Sequence, residues 1–502
     1  MSEEDPATPL RSGPLIGAAM AVVVIFAVAM MLAGSSGRGA RPPAVATEPQ
    51  ATLPDVDPGA FAGDRLERFE RLAAIGNSHV LYALTPGGAE AGARRTARFR
   101  ETFEKAADRT GQDADTLEAM AMLESAGRPE VIAGDDPKAA SGLMQILPET
   151  GSGLLGMRVD LGRSQSLTRS IARNRRKGRS RTVKRLQAKR RRVDERFDPA
   201  KAATAAGRYL RIARDRFGRQ DLAAVSYHMG MGNLENVISA FVRPGDASGP
   251  IGEVVDRHDL SWGQIFFATT PRRNARAHRI LRKLSDDSAT YYWRVLAAAQ
   301  IMTLLRDDTD ELRQLSRLHR NKSTAEEVFH PPSTTDAFAD PQELAAAWDD
   351  GELVPVPDNP KLGLRRSSQM GELAGRLDQS RRLYRGLRPA ALAVLLYIAR
   401  EVRLTTGRPE SLVVTSSVRD RRYQALLVRR TAEATRGYSL HTTGWSFDIR
   451  RSYRSRAQGR AFQAVLDRLK SQAVLDFAPE PGAIHVTVSD EGARFLPLLD
   501  DE

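Results

Sequence analysis

The 502-residue sequence has no cysteine. Disulfides, Cys-based zinc sites, thiol catalysis and lipidation on cysteine are therefore excluded. Stability must come from packed cores, and the length is ample for two or three domains. No internal repeat is visible. Between Glu67 and about Arg306 there is no convincing strand run, so that part should be mainly α-helical. Two further absences are local. Leu15 to Gly34 contains no charged residue, and Arg163 to Arg192 contains no acid.

The uncharged stretch, LIGAAMAVVVIFAVAMMLAG, is long enough to cross a bilayer as a helix. Its leader carries Glu3, Glu4 and Asp5 but only Arg11, unlike the basic leader of a cleavable signal. Residues 1–34 thus read as a leader and an uncleaved single-pass anchor. Arg38 and Arg41 follow it, so charge bias does not fix the orientation. Residues 35–62 carry Pro, Gly, Ala and Thr without hydrophobic period and read as a flexible spacer. The acid-free stretch, 163–192, holds fourteen Lys and Arg, which accounts for the whole formal charge of +13. The rest of the chain is nearly neutral, so the basicity is not a general nucleic-acid signature, and no nucleic-acid partner is expected. The block reads either as a solvated arm or as a grip on polyanions such as wall polymers or acidic lipid head groups.

The stretch Leu117 to Gln145 carries the first candidate chemistry. Asp115 or Thr116 can cap a helix that Gly127 and Pro129 stop. Leu117, Met120, Ala121 and Glu124 then share one face. A carboxylate ending an apolar stripe should be partly desolvated, which raises its pKa toward that of a general acid. Taken alone, the pattern equally allows a Glu that turns to solvent. Glu124-Ser125 is followed by Gly142-Leu143-Met144-Gln145, then by Val193-Asp194-Glu195-Arg196-Phe197-Asp198-Pro199 with a helix to Tyr209-Leu210, then by Ala223-Ala224-Val225-Ser226-Tyr227-His228-Met229-Gly230. These motifs in this order resemble the lytic transglycosylase domain with a goose-type-lysozyme-like fold. His228 stands where that family often has Asn.

The resemblance implies a peptidoglycan substrate and no cofactor for this domain. It implies sugar contacts from Ser125, Gly142, Leu143, Met144, Gln145, Tyr227, His228 and Gly230. It also implies a mechanism with one carboxyl group. Glu124 would protonate the oxygen between MurNAc and GlcNAc, then take the proton of the sugar's own 6-hydroxyl, leaving a 1,6-anhydro end. Such chemistry requires the bulk of the chain outside the cytoplasm, on the periplasmic or cell-wall side. Asp135 and Asp136 in the following loop keep hydrolysis open, as a muramidase would do it. From another class, a wall-binding scaffold with inactive sites is the rival.

Ser288 to Met302 is an amphipathic helix whose aromatics either line a sugar groove or belong to the core. The mainly-α domain is placed at 63–325 and a linker at 326–364. The linker includes Pro331-Pro332, Pro355, Pro357 and Pro360, with a short helix near Pro341 to Trp348. The last domain, 365–502, should be α+β. Leu412 to Thr415 reads as a strand. Trp445, Phe447 and Ile449 alternate with Ser446 and Asp448, and Ile484, Val486 and Val488 alternate with His485 and Thr487. If those two strands are neighbours, His441, Asp448 and His485 converge. Two imidazoles and a carboxylate with an open position suit catalytic zinc.

Ser439-x-His441-x-x-Gly444-x-Ser446-x-Asp448 and the later His485 resemble the zinc D-Ala-D-Ala carboxypeptidase and L,D-peptidase family. Ser446 replaces its usual Ala. The resemblance implies zinc on His441, Asp448 and His485, and substrate contacts from Arg419, Gln424 and Ser439, with Arg419 clamping a peptide carboxylate. The family's general base usually lies about three positions before the last ligand, where this chain has Gly482; Glu480 is assigned the role and Asp476 is second. The alternative is that both histidines are structural in a domain that only binds wall peptide.

Overall fold

The computed structural model describes residues 57–243, 245–284, 286–430 and 435–499. The apolar stretch Leu15 to Gly34 and the spacer up to residue 56 lie outside the described residues. Among those described, no helix is long and apolar enough to cross a membrane. The chain divides into two compact units. The described part of the smaller is Arg128–Ala205, and the larger holds 57–127 and 206–499.

In the smaller unit the basic stretch is a helical hairpin. Leu161–Arg176 packs against Ser180–Val193. Asp160 caps the first helix by accepting from Arg163 N at 3.0 Å. Arg173, Arg175 and Arg176 end it, where cations favour the helix dipole. Ile171 and Val183 are buried, and Gly178 turns the chain at φ +67°. Arg190 is buried too. It donates to Glu130 Oε2 at 2.7 Å and Thr168 Oγ1 at 2.9 Å, with its guanidinium 3.6 Å from the Phe197 ring centre. An arm in solution has no such anchors.

In the larger unit the helical half is built around Tyr291–Asp307, which packs on Leu66–Leu84 and Ala114–Ser125. Asp113, rather than Asp115 or Thr116, caps Ala114–Ser125: its Oδ2 accepts from Thr116 N at 2.8 Å. The helix ends at Ala126 and Gly127, both with positive φ. A Cβ on Gly127 would lie 2.4 Å from Thr96 N, so packing also requires glycine there.

The α+β half, after a two-residue ladder of β1 (Val354–Pro355) with β3 (Gly386–Leu387), has a five-stranded sheet. Its strands are β2 (Leu364–Arg366), β4 (Leu412–Ser416), β5 (Ser446–Arg450), β6 (Leu475–Pro479) and β7 (Ala483–Val488), in the order β2-β4-β5-β7-β6. β2 and β4 are parallel and the other pairs antiparallel. The helix Pro389–Thr406 is apolar nearly all round and packs with Arg456–Lys470 into the sheet's core, where Phe447, Ile449, Val486 and Val488 are buried. β5 and β7 are neighbours, with Asp448 opposite His485.

The segment 326–364, expected to be a linker, is fixed to the sheet instead. His330 Nε2 lies 2.6 Å from Val488 O, and Phe338 N donates to Thr442 O at 2.8 Å. Two aromatic or imidazole rings stack here as well, His330 on Trp445 at 4.7 Å. Prolines break its helical pattern, but its polar groups find partners. The last residues of the expected spacer behave likewise: Asp57 accepts from the Tyr397 hydroxyl at 2.8 Å and from Arg468 at 3.2 Å.

Candidate functional site

Glu124 occupies the last turn of Ala114–Ser125. Tyr291, at the start of its packing partner, donates its hydroxyl to Glu124 Oε1 at 2.7 Å. Desolvation raises the Glu124 pKa from its ordinary 4.5 to about 7; the Tyr291 hydrogen bond and Arg294 oppose that rise without cancelling it. Neither opposing group is an acid. The residue nevertheless keeps some accessible surface, so a proton can pass between it and a ligand. Arg294 is held by Asp287 at 2.7 Å.

The motif Tyr227-His228-Gly230 lies beside this carboxyl. The Tyr227 ring is stacked 6.4 Å from that of Tyr291 and edge-on to Tyr209 at 5.1 Å. Tyr209 donates to Ser226 O at 2.7 Å and so fixes the helix that carries Tyr227. His228 is exposed, stacks on Tyr291 at 5.1 Å, and meets Ser288 Oγ at 3.0 Å. Gly230, at φ +83°, turns the chain into Met231–Phe241. Ser125 is buried and bonds back to Ala121 O at 3.1 Å. The structure thus brings Glu124, Tyr227, His228 and Tyr291 together.

Gly142 to Gln145 belong to the smaller unit. A Cβ on Gly142, at φ +85°, would lie 1.8 Å from Arg196 O. Leu143 and Met144 are completely buried, so their side chains hold the loop rather than face a ligand. Gln145 donates to Gly142 O at 2.8 Å. Arg196 organises this loop: buried with Asp194 at 2.8 Å, it donates to the carbonyls of Pro137, Ala139 and Ile146. That explains the Val193-to-Pro199 motif, because a buried pair with all donors satisfied is costly to break, by about 3–5 kcal/mol.

In the α+β half, Gly444 at φ +81° turns the short helix Leu440–Thr443 into β5. His441 Nδ1 faces Ser417 O at 2.8 Å, which leaves its Nε2 toward Asp448 Oδ1 at 3.2 Å. His485 Nδ1 meets the same oxygen at 3.0 Å. One nitrogen of each histidine and one Asp448 oxygen lie within 4.8 Å of one another. Desolvation and Arg419 hold His441 below the usual imidazole range, hence neutral. Burial disfavours charge on Asp448, but both histidines outweigh it and hold the carboxyl well below the usual range. A neutral imidazole, an ionised carboxylate and a second imidazole, whose Nδ1 proton an incoming ion would displace, have a spacing that fits zinc, whose ligands at about 2 Å stand roughly 3.3 Å apart in a tetrahedron.

Arg419 is partly buried, 3.5 Å from Asp448, and donates to Ser416 Oγ at 2.6 Å and Gln424 Oε1 at 2.9 Å. Ser439 is buried, and its carbonyl accepts from Thr442 Oγ1 at 2.6 Å. Glu480 is exposed in the β6–β7 hairpin, near enough to Arg419 to favour its charged form. Asp476 is committed elsewhere, to Lys470 at 2.7 Å and Ala325 N at 2.7 Å. Glu326, which sequence reasoning missed, reaches His485 Nε2 at 3.1 Å. Nothing local in the sequence signals it.

The family model of the transglycosylase SLT domain matches residues 101–170 and 176–246. A lysozyme-like SLT transglycosylase domain is therefore present at 101–246. It supports peptidoglycan lytic transglycosylase activity and implies peptidoglycan as the substrate. Most of the basic hairpin lies inside the match, which omits only 171–175. No curated protein matches the chain.

Proposed function

We propose that the protein is a membrane-anchored peptidoglycan-remodelling enzyme that cleaves the MurNAc–GlcNAc bond without water. The observation that carries this reading is the desolvated Glu124 carboxyl, protonated up to about pH 7, with Tyr291 as its donor. Glu124 gives its proton to the glycosidic oxygen as the C–O bond breaks. The Tyr291 hydroxyl stabilises the carboxylate left behind. That carboxylate takes the proton of the 6-hydroxyl as its oxygen bonds to C1, which restores the acid and closes the 1,6-anhydro ring. An inverting hydrolase would need a second carboxylate to hold a water. The groups acting on Glu124 are a phenol and a guanidinium.

Mass spectrometry of fragments released from purified sacculi tests this. Anhydro ends, lighter by one water than hydrolysed ends, are expected. Hydrolysed ends alone would make the enzyme a muramidase, and no release would favour the scaffold. The anchor is Leu15 to Gly34, with the bulk on the extracytoplasmic side. The exposed cations of the basic hairpin give it a grip on anionic wall polymer or lipid.

A second activity is favoured by the register that sets Asp448 opposite His485. The α+β half would hold zinc through His441, Asp448 and His485 and cut a stem-peptide bond. Zinc there would supply Lewis-acid polarisation of the scissile carbonyl. Arg419 would bind the substrate carboxylate, and Glu480 would accept a proton from the attacking water. Full-length protein should contain stoichiometric zinc that His441→Ala loses. Equal zinc in both would remove the site.

A further inference from the structure

We propose that Glu326 is the outer carboxylate of the His441–Asp448–His485 metal site: it accepts the Nε2 hydrogen of His485 and so directs the Nδ1 lone pair at the ion. This rests on the reading of the triad as a metal site.

A metal-bound imidazole gives one nitrogen to the ion and donates from the other, and the partner of that second nitrogen sets tautomer and ring angle. Both histidines have such partners. That of His441 is Ser417 O, in the strand-to-helix loop of the same half. The ring of His485 presents Nδ1 to Asp448, so its Nε2 is the outward nitrogen, and this meets Glu326 Oε2 at 3.1 Å and Thr487 Oγ1 at 3.3 Å. A carboxylate bonded to the outward N–H makes the coordinating nitrogen more basic than a carbonyl or hydroxyl partner can.

Glu326 is itself buried and oriented. Thr324 Oγ1 donates to the same Oε2 at 3.1 Å, and Lys322 Nζ lies 3.6 Å from Oε1. The segment is pinned on both sides of Glu326: Ala325 N donates to Asp476 Oδ2 on β6 at 2.7 Å, and His330 reaches Val488 O on β7. Glu326 opens the short helix Glu326–Phe329, directly after Thr309–Asn321 of the helical half. The site therefore draws on the segment that joins the helical half to the sheet. Its grip on metal depends on the tail of the helical half being seated, which couples the peptidase site physically to the glycan-cleaving half.

The test is zinc affinity of the full-length protein by competition with a chromophoric chelator, with melting temperatures of metal-free and zinc-loaded protein beside it. Glu326→Ala should weaken zinc about 10–100-fold. Glu326→Gln keeps the shape and an acceptor oxygen but not the charge, and should lose less. Cobalt(II) in place of zinc should show a changed visible spectrum in Glu326→Ala, because the His485 ring is no longer oriented. If both variants bind zinc as tightly as the unaltered protein while metal-free melting falls, Glu326 is only an ionic lock and the proposal is wrong. If the unaltered protein binds no zinc, the triad reading itself fails, a result distinct from the first.

Discussion

Glu124 and His485 meet the same penalty in the same compact unit and end in opposite states. Desolvation disfavours the charged form of each. Around Glu124 it wins, and the carboxyl stays protonated to about pH 7. Around His485 it loses: the hydrogen bonds of Asp448 and Glu326 outweigh burial and raise the imidazole to about 10. One site isolates a single group so that it can carry a proton. The other gathers carboxylates around imidazoles, so that it favours a positive charge. The first is suited to general acid–base work and the second to a cation, and the partners, not the burial, make the difference.

The sharpest way to break this comparison is at Glu124. Glu124→Gln keeps the shape and removes the proton, so release of soluble fragments from sacculi should fall at least about a hundredfold. The variant should stay folded, and the sign of the linkage gives the control. Because the folded pKa is raised, its contribution to stability is complete below the ordinary 4.5 and is lost as pH rises through about 7. Glutamine carries no such loss, so the variant should melt no lower than the unaltered protein at pH 8. A variant that digests sacculi at the original rate would show that the proton comes from elsewhere.

How much of each site could be read from the sequence follows the same division. Glu124 was legible because its helix is local and its apolar spacing regular; only the cap was misplaced, since Asp113 and Asp115 are both plausible acids at a helix start. Asp448 and His485 were legible because a period of two puts them on one face, and the register completes the pair. Tyr291 was ambiguous, being a groove aromatic or a core aromatic by pattern, and it is buried with its hydroxyl on the acid. Glu326 was illegible: 159 positions separate it from His485, and in a charged, proline-bordered stretch it looks like linker. The hairpin 161–193 hid its order for another reason. Its anchors are the buried Ile171 and Val183, a buried serine, Ser164, bonded to Asp194, and Arg190 and Arg191 on Glu130, too few to stand out among fourteen cations.

A smaller effect is expected at Tyr291. Its hydroxyl donates to the ionised carboxylate and therefore lowers the Glu124 pKa. Tyr291→Phe keeps the ring that stacks on Tyr227 and His228 and removes only the donor. The Glu124 pKa should then rise further, and the high-pH limb of kcat/KM should move upward by about one unit, as expected for a hydrogen bond to a charged group of roughly 1.5 kcal/mol. A limb that stays in place, or moves down, would mean that Glu124 does not set it.

The smallest effect concerns the hairpin, where charges are neither isolated nor gathered but spread over solvent. Lys177 at its turn is exposed, and the proposed grip on polyanions assigns it to adhesion. A cation near an anionic surface is worth about 1 kcal/mol. Lys177→Gln should therefore weaken binding to vesicles containing anionic lipid, or to anionic wall polymer, about fivefold at low salt. Raising the salt should erase the difference, since exposed charges are screened within about 10 Å at 0.1 M. Turnover of small soluble glycans should not change. Arg190 makes the contrast within the same hairpin: it is buried against Glu130 and Phe197, so Arg190→Gln should lower the melting temperature at every salt concentration. If Lys177→Gln slows turnover on soluble glycans at high salt, the hairpin acts in catalysis and adhesion is not its role.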